Sequence, residues 1–85
     1  MKVRIPTPLR SYTNQSVVEA NGATLAELFD DLERQFPGIR FRVINEQDQI
    51  REHIKVFVNQ TIVENLAAPL KPGDDIRIIM AISGG

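Results

Sequence analysis

Hydrophobic and polar positions change period along this chain, and each period names an element. Lys2, Arg4 and Pro6 alternate with Val3 and Ile5, the period-two pattern of a strand with one buried face. Pro6 contributes no N–H to a ladder and marks the strand's end. A polar loop is expected from Pro8 to Asn14, then a second short strand in QSVVEA, the antiparallel partner of the first. From Thr24 the period lengthens. Leu25, Leu28, Phe29, Leu32 and Phe36 form one helical stripe, opened by a Thr24/Glu27 capping box and stopped by Pro37 and Gly38.

Ile39, Phe41 and Val43 read as a short strand or turn, and NEQDQ as an exposed loop. Alternation resumes in IKVFVNQTIV, with Ile54, Val56 and Val58 on one face, Lys55 and Phe57 on the other, a turn at Asn59–Gln60, and a very short strand from Thr61 to Val63. ENLAAPLKPGDD supplies a helical turn and a reverse turn, Pro72 and Gly73 being turn formers on steric grounds. The last strand is expected from Asp75 to Ile82, with Ile76, Ile78, Met80 and Ile82 on its core face. The first and last strands are the most apolar and are expected to pair in parallel at the sheet centre, the helix supplying the crossover. The expected fold is α+β: a β-grasp, or ubiquitin-like, domain over residues 1–82, with a mixed sheet of four to five strands over one main helix and a flexible tail at 83–85.

Composition narrows the function. The chain's 85 residues, 42% apolar and 25% charged, suit one small domain that buries only about 60–65% of its unfolded surface. It has no cysteine, so neither disulfides nor thiolate metal sites can stabilise it. Ten basic and eleven acidic residues are interspersed, giving net charge -1 and no electrostatic footprint for nucleic acid or an anionic membrane. No apolar run approaches the roughly 20 residues of a membrane span, and the expected compartment is the cytoplasm. Catalytic groups are scarce. His53 is the one histidine and reads as a surface residue without companion metal ligands. Asp30–Asp31 and Asp74–Asp75 are neighbours whose side chains diverge, and the scattered glycines form no phosphate loop. The expectation is a non-enzyme with no resident cofactor and no metal.

Two features remain. If the helix covers one face of the sheet, Ile79, Ala81 and Phe57 face outward with Pro6 and Ile62 nearby, rimmed by Arg4, Lys55 and Arg77, an apolar patch within a basic rim that reads as a protein-binding surface. The second feature is the Ser83–Gly84–Gly85 end. Glycine has no Cβ, so such an end fits a narrow channel and can deliver its α-carboxylate, ionised at neutral pH, to another protein's active site.

The capped helix after a hairpin, the VFVNQ strand and turn, LKPGDDIRII and the final SGG together resemble the bacterial ubiquitin-like sulfur-carrier family, which includes the molybdopterin synthase small subunit and the carriers of the thiamin and cysteine pathways. The resemblance implies that a ubiquitin-activating-type enzyme uses ATP to adenylate Gly85, and that sulfur transfer then yields a thiocarboxylate. Gly84 keeps the tail thin and Ser83 marks its root. It also implies docking of the outer sheet face, with Ile62, Ile79 and Pro6 in the interface, on the activating enzyme and on a sulfur acceptor. IPTPLRSYT and REHIKVFVN look most like the cysteine-pathway carriers, while VNQT is shared with molybdopterin-type members, so the acceptor is either cysteine-synthase-like or a molybdopterin synthase large subunit. A ubiquitin-like protein modifier shares the activation chemistry and stays open, as does a binding module in which the tail is incidental.

Overall fold

A computed structural model describes residues 1–81. Its strands are β1 (Lys2–Arg4), β2 (Val17–Glu19), β3 (Ile54–Val58), β4 (Thr61–Ile62) and β5 (Asp75–Met80), in the spatial order β2-β1-β5-β3-β4. β1 and β5 run parallel in the middle, with Val3 beside Ile76 and Arg4 beside Arg77. All other pairs are antiparallel. A parallel pair needs a crossover, and the long one here carries the main helix, α2 (Leu25–Gln35). The mixed sheet of four to five strands expected from the alternation is therefore present, with five strands.

The inner sheet face follows the pattern residue by residue. Val3, Ile5, Ile54, Val56, Ile76 and Ile78 are buried and join Leu25, Leu28, Phe29 and Leu32 of α2 in one core. Each such side chain stabilises the fold by about 1.5–3 kcal/mol relative to exposure. Phe36 and Met80 pack at the margin.

The start of α2 leaves none of its first donors without a partner, although burial would make an orphan costly. The Thr24 hydroxyl accepts from Glu27 N at 3.3 Å. The Glu27 carboxylate reaches Ala23 N at 3.1 Å, one residue before the position a standard capping box would use. Leu25 N and Ala26 N donate to Ala68 O and Leu66 O, so the 66–70 segment caps the helix from a distance. Gly22 lies so close beneath this turn that a Cβ there would meet Leu28 N and sit 2.7 Å from the Glu27 carbonyl carbon.

Three expectations are corrected. Pro8 to Asn14 is not a loop: a 3₁₀ turn (Thr7–Leu9) leads into α1 (Arg10–Thr13), which ends on left-handed Asn14. Leu9 is fully buried, and the buried Thr13 hydroxyl donates to Gln15 O while accepting from Gln15 N. Ile39 to Val43 is helix α3, not strand; Ile39 and Val43 are buried while Phe41 is 56% exposed. Its first turn is held by Glu33, whose two carboxylate oxygens accept from Gly38 N (2.8 Å) and Arg40 N (3.0 Å). Gly38 makes this corner with φ +99°, a conformation that disfavours any residue with a Cβ. The third correction is length: β5 ends at Met80. Ile82 and the Ser83–Gly85 tail lie outside the described residues.

Candidate functional site

Alternation carries a second set of side chains to the sheet's outer face. On β5 these are Asp75, Arg77 and Ile79, between the inward Ile76 and Ile78. In register, Arg77 lies beside Arg4 on one flank and Phe57 on the other, Ile79 lies opposite Lys55, and Phe57 lies opposite Ile62. The structure thus brings Arg4, Phe57, Ile62, Arg77 and Ile79 onto one continuous surface. Ile62 and Ile79 are 46% and 41% exposed, unusual for large aliphatic side chains, and Phe57 is half-buried.

Arg77 and Ile79 form a ridge between two hollows. One, of about 540 Å³, is lined by Pro6, Pro8 and Val17 together with Arg4 and Arg10. The other, of about 500 Å³, lies between Phe57, Asn59, Gln60 and Asp75. A further hollow of about 440 Å³ between residues 48–56 and 62–66 touches Ile62 but no residue of β5. Pro6 is half-buried beside the first hollow, where Ile5 N makes a last bond to Ser16 O before the proline ends donation.

The rim is less uniformly basic than the sequence suggested. Arg4 forks onto Asp75 through Nε (3.2 and 3.3 Å) and Nη2 (3.1 Å). Both side chains are about two-fifths exposed, so the pair holds the guanidinium in place more than it stabilises the fold. Asp75 was missed because its partner in register is Lys2 and Arg4 reaches it diagonally; only the β1–β5 register shows this. No carboxylate among the described residues pairs with Lys55 or Arg77, which leaves these two as cations beside Ile79.

The carboxylates held below their ordinary range serve the scaffold. The N–H of Asn21, then Arg34, lowers Asp31; the N–H groups of Gly38 and Arg40 lower Glu33. Asp74 is lowered first by the Lys71 N–H and then by the Asn59 amide, a latch at the turn into β5. Asn59 also accepts from Asp75 N at 3.1 Å and donates its own N–H to Asp75 O at 2.7 Å, adopting φ +59° to do so. These contacts set where β5 begins, and hence which of its residues face outward. His53 is exposed, and among the described residues no cluster of potential metal ligands forms.

β5 hands the chain onward at one end of this face. Ala81, exposed, donates its N–H to His53 O at 2.8 Å, one ladder bond beyond the Ile54–Met80 pair. The tail residues proposed to carry the chemistry, Ser83, Gly84 and Gly85, follow outside the described residues.

A domain that fixes one strand by its inner face, exposes apolar side chains on its outer face and continues into Gly-Gly matches a known family over almost its whole length. The ThiS family profile aligns with residues 3–85. The chain belongs to the ThiS family. Among its relatives is the sulfur carrier protein CysO of Mycobacterium tuberculosis, 35% identical over 98% of this chain and 96% of the relative. Among solved structures, the Amycolatopsis orientalis BexX/CysO complex contains a chain with TM-score 0.92 and 40% identity, covering 99% of this chain and 98% of that one. The crystal structure of M. tuberculosis CysO superposes with TM-score 0.90 at 32% identity over 95% of this chain and 98% of that one. SAMP1 from Haloferax volcanii, at TM-score 0.80 and 23% identity over 99% and 97%, shares the fold. The β-grasp architecture is common to this ThiS-family chain and all three. No helix among the described residues is long and apolar enough to cross a membrane.

Proposed function

We propose that this chain is a sulfur carrier, a protein co-substrate whose reactive group is the α-carboxylate of Gly85. A carboxylate oxygen attacks the α-phosphorus of ATP held by an adenylating enzyme of the ubiquitin-activating type, and pyrophosphate leaves. A sulfide-level donor, HS⁻, then attacks the acyl carbon and displaces AMP, leaving a C-terminal thiocarboxylate. That sulfur is a soft nucleophile tethered to a protein, so it reaches its acceptor without release as free sulfide. The acceptor most consistent with full-length similarity to CysO is a cysteine-synthase-like enzyme acting on an activated serine derivative.

The observation that carries this reading is the Ser83–Gly84–Gly85 end on a strand whose Ile76 and Ile78 are locked in the core, in a chain aligned nearly end to end with proteins named as sulfur carriers. Anchoring matters because a substrate arm must be presented from a fixed base to reach a partner's catalytic atoms productively. The outer face around Ile79, Phe57, Ile62 and Pro6, with Arg4, Arg77 and Ala81 at its border, is the proposed docking surface. ATP is consumed by the activating partner, and the chain holds no cofactor of its own in this scheme. In this scheme the protein works in the cytoplasm, alongside ATP and the activating enzyme.

Pyrophosphate release tests the first step. The activating enzyme from the same organism, given ATP and full-length chain, should release pyrophosphate in proportion to chain added. The chain lacking Gly85 should give only background. Equal release from both would refute activation at Gly85.

A further inference from the structure

At the tail's root, a second feature lies apart from the apolar outer face. The Arg51 guanidinium carbon sits 4.6 Å from the centre of the Phe41 ring, and Arg51 Nε donates to Phe41 O at 2.9 Å. Arg51 N is also bonded to Val43 O at 2.9 Å, so the residue is fixed at both backbone and head group. Stacking on an aromatic face and a bond through Nε together hold a planar cation in one orientation. Its two Nη groups have no acceptor among the described residues. Phe41, Arg42, Arg51 and His53 line a hollow of about 320 Å³ that shares no residue with the hollows beside Ile79. Glu52 lies between Arg51 and His53 in sequence, exposed, and forms no ion pair with any described cation.

Connectivity places this hollow where a partner must come. Ala81 N is bonded to His53 O, and Ile54 N to Arg51 O, so the cluster borders the final ladder bond among the described residues. Residues 82–85 can span at most about 14 Å when fully extended. An enzyme that encloses Gly85 must therefore bring its rim close to Ala81, and with it to His53 and Arg51.

We propose, building on the carrier reading above, that the Phe41–Arg42–Arg51–His53 hollow docks an acidic segment on the rim of the adenylating enzyme. An oriented guanidinium fork with free Nη donors matches a carboxylate, and Arg42 beside it adds a second positive charge. Adenylation is the step that most needs such help: the tail's carboxylate and ATP are both anionic, and the chain carries net charge -1. A local cation cluster at the tail's root offsets that repulsion and steers the encounter.

Arg42→Glu is the test variant, because Arg42 is exposed and its side chain makes no hydrogen bond or ion pair among the described residues. Pyrophosphate release by the purified activating enzyme of the same organism is measured against chain concentration at low and high salt, alongside thermal unfolding. The expected result is a KM raised about tenfold at low salt with kcat unchanged, the gap closing as salt screens the contact. Arg42→Lys should behave like wild type, and all three should melt together. A KM for Arg42→Glu equal to wild type at low salt overturns the inference while leaving the carrier reading intact. If the wild-type chain itself is never adenylated, the carrier reading falls and this inference with it.

Discussion

Replacing Glu33 with Gln probes how the fold is closed beneath the sheet. Glu33 is half-buried at the end of α2, and its carboxylate bridges to α3 by accepting from Gly38 N at 2.8 Å and Arg40 N at 3.0 Å. A hydrogen bond to a charged group is worth about 1.5–3 kcal/mol when well shielded. Partial exposure reduces this, and Gln retains one acceptor oxygen, so a net loss of about 1–1.5 kcal/mol is expected. For a domain of this size each kcal/mol shifts the midpoint by about 4–8 °C, giving a drop of roughly 4–12 °C at neutral pH. The pH dependence has a definite sign. Folding lowers the Glu33 pKa, first through the Gly38 N–H and then through the Arg40 N–H. Its contribution is therefore fully present above the unfolded value and lost as pH falls through the folded one. Thermal melts by circular dichroism from neutral to acid pH should show the gap between wild type and Glu33→Gln narrowing at the acid end. A gap that is absent at neutral pH, or unchanged at the acid end, would refute the bridging role.

The remaining expectations concern the helix start and the outer face. Gly22→Ala should destabilise by about 1–3 kcal/mol, read by denaturant unfolding, because the new methyl meets the α2 backbone at Leu28 N and the Glu27 carbonyl carbon, which cannot swing aside. Ile79→Asp should cost about 1 kcal/mol of stability, since the side chain is 41% exposed and otherwise covered, yet weaken binding to the activating enzyme at least about tenfold by calorimetry. Unchanged binding would remove the outer face from the docking surface.

Much of the fold was legible because local pattern and global packing agree. The stripe from Leu25 to Leu32 and the Thr24 cap needed no tertiary information, and strict alternation in β1, β3 and β5 assigned both sheet faces. α3 was misread for a physical reason. Ile39, Phe41 and Val43 mimic period two, but the buried set is Ile39, Val43 and Ile44, and the helix is held by a carboxylate from α2 that no local window contains. Residues 7–13 offered one buried aliphatic, Leu9, and a proline at the head of the 3₁₀ turn, a signal that was present but weak. At the site, the outward side chains were readable from alternation. Their charge partners were not: Arg4 meets Asp75 across 71 positions and Arg51 stacks on Phe41 across ten, contacts fixed only once register and the α3 turn are known.

The central claim is that Gly85 carries sulfur as a thiocarboxylate. Its most direct test is the intact and C-terminal-peptide mass of the chain after incubation with its activating enzyme, ATP and a sulfur source. Exchange of one oxygen for sulfur adds about 16 mass units. The account predicts that gain on the peptide ending in Ser83–Gly84–Gly85, dependent on ATP and absent when Gly85 is deleted. An unmodified C-terminal peptide under conditions where pyrophosphate is released, or the same gain elsewhere in the chain, would contradict it.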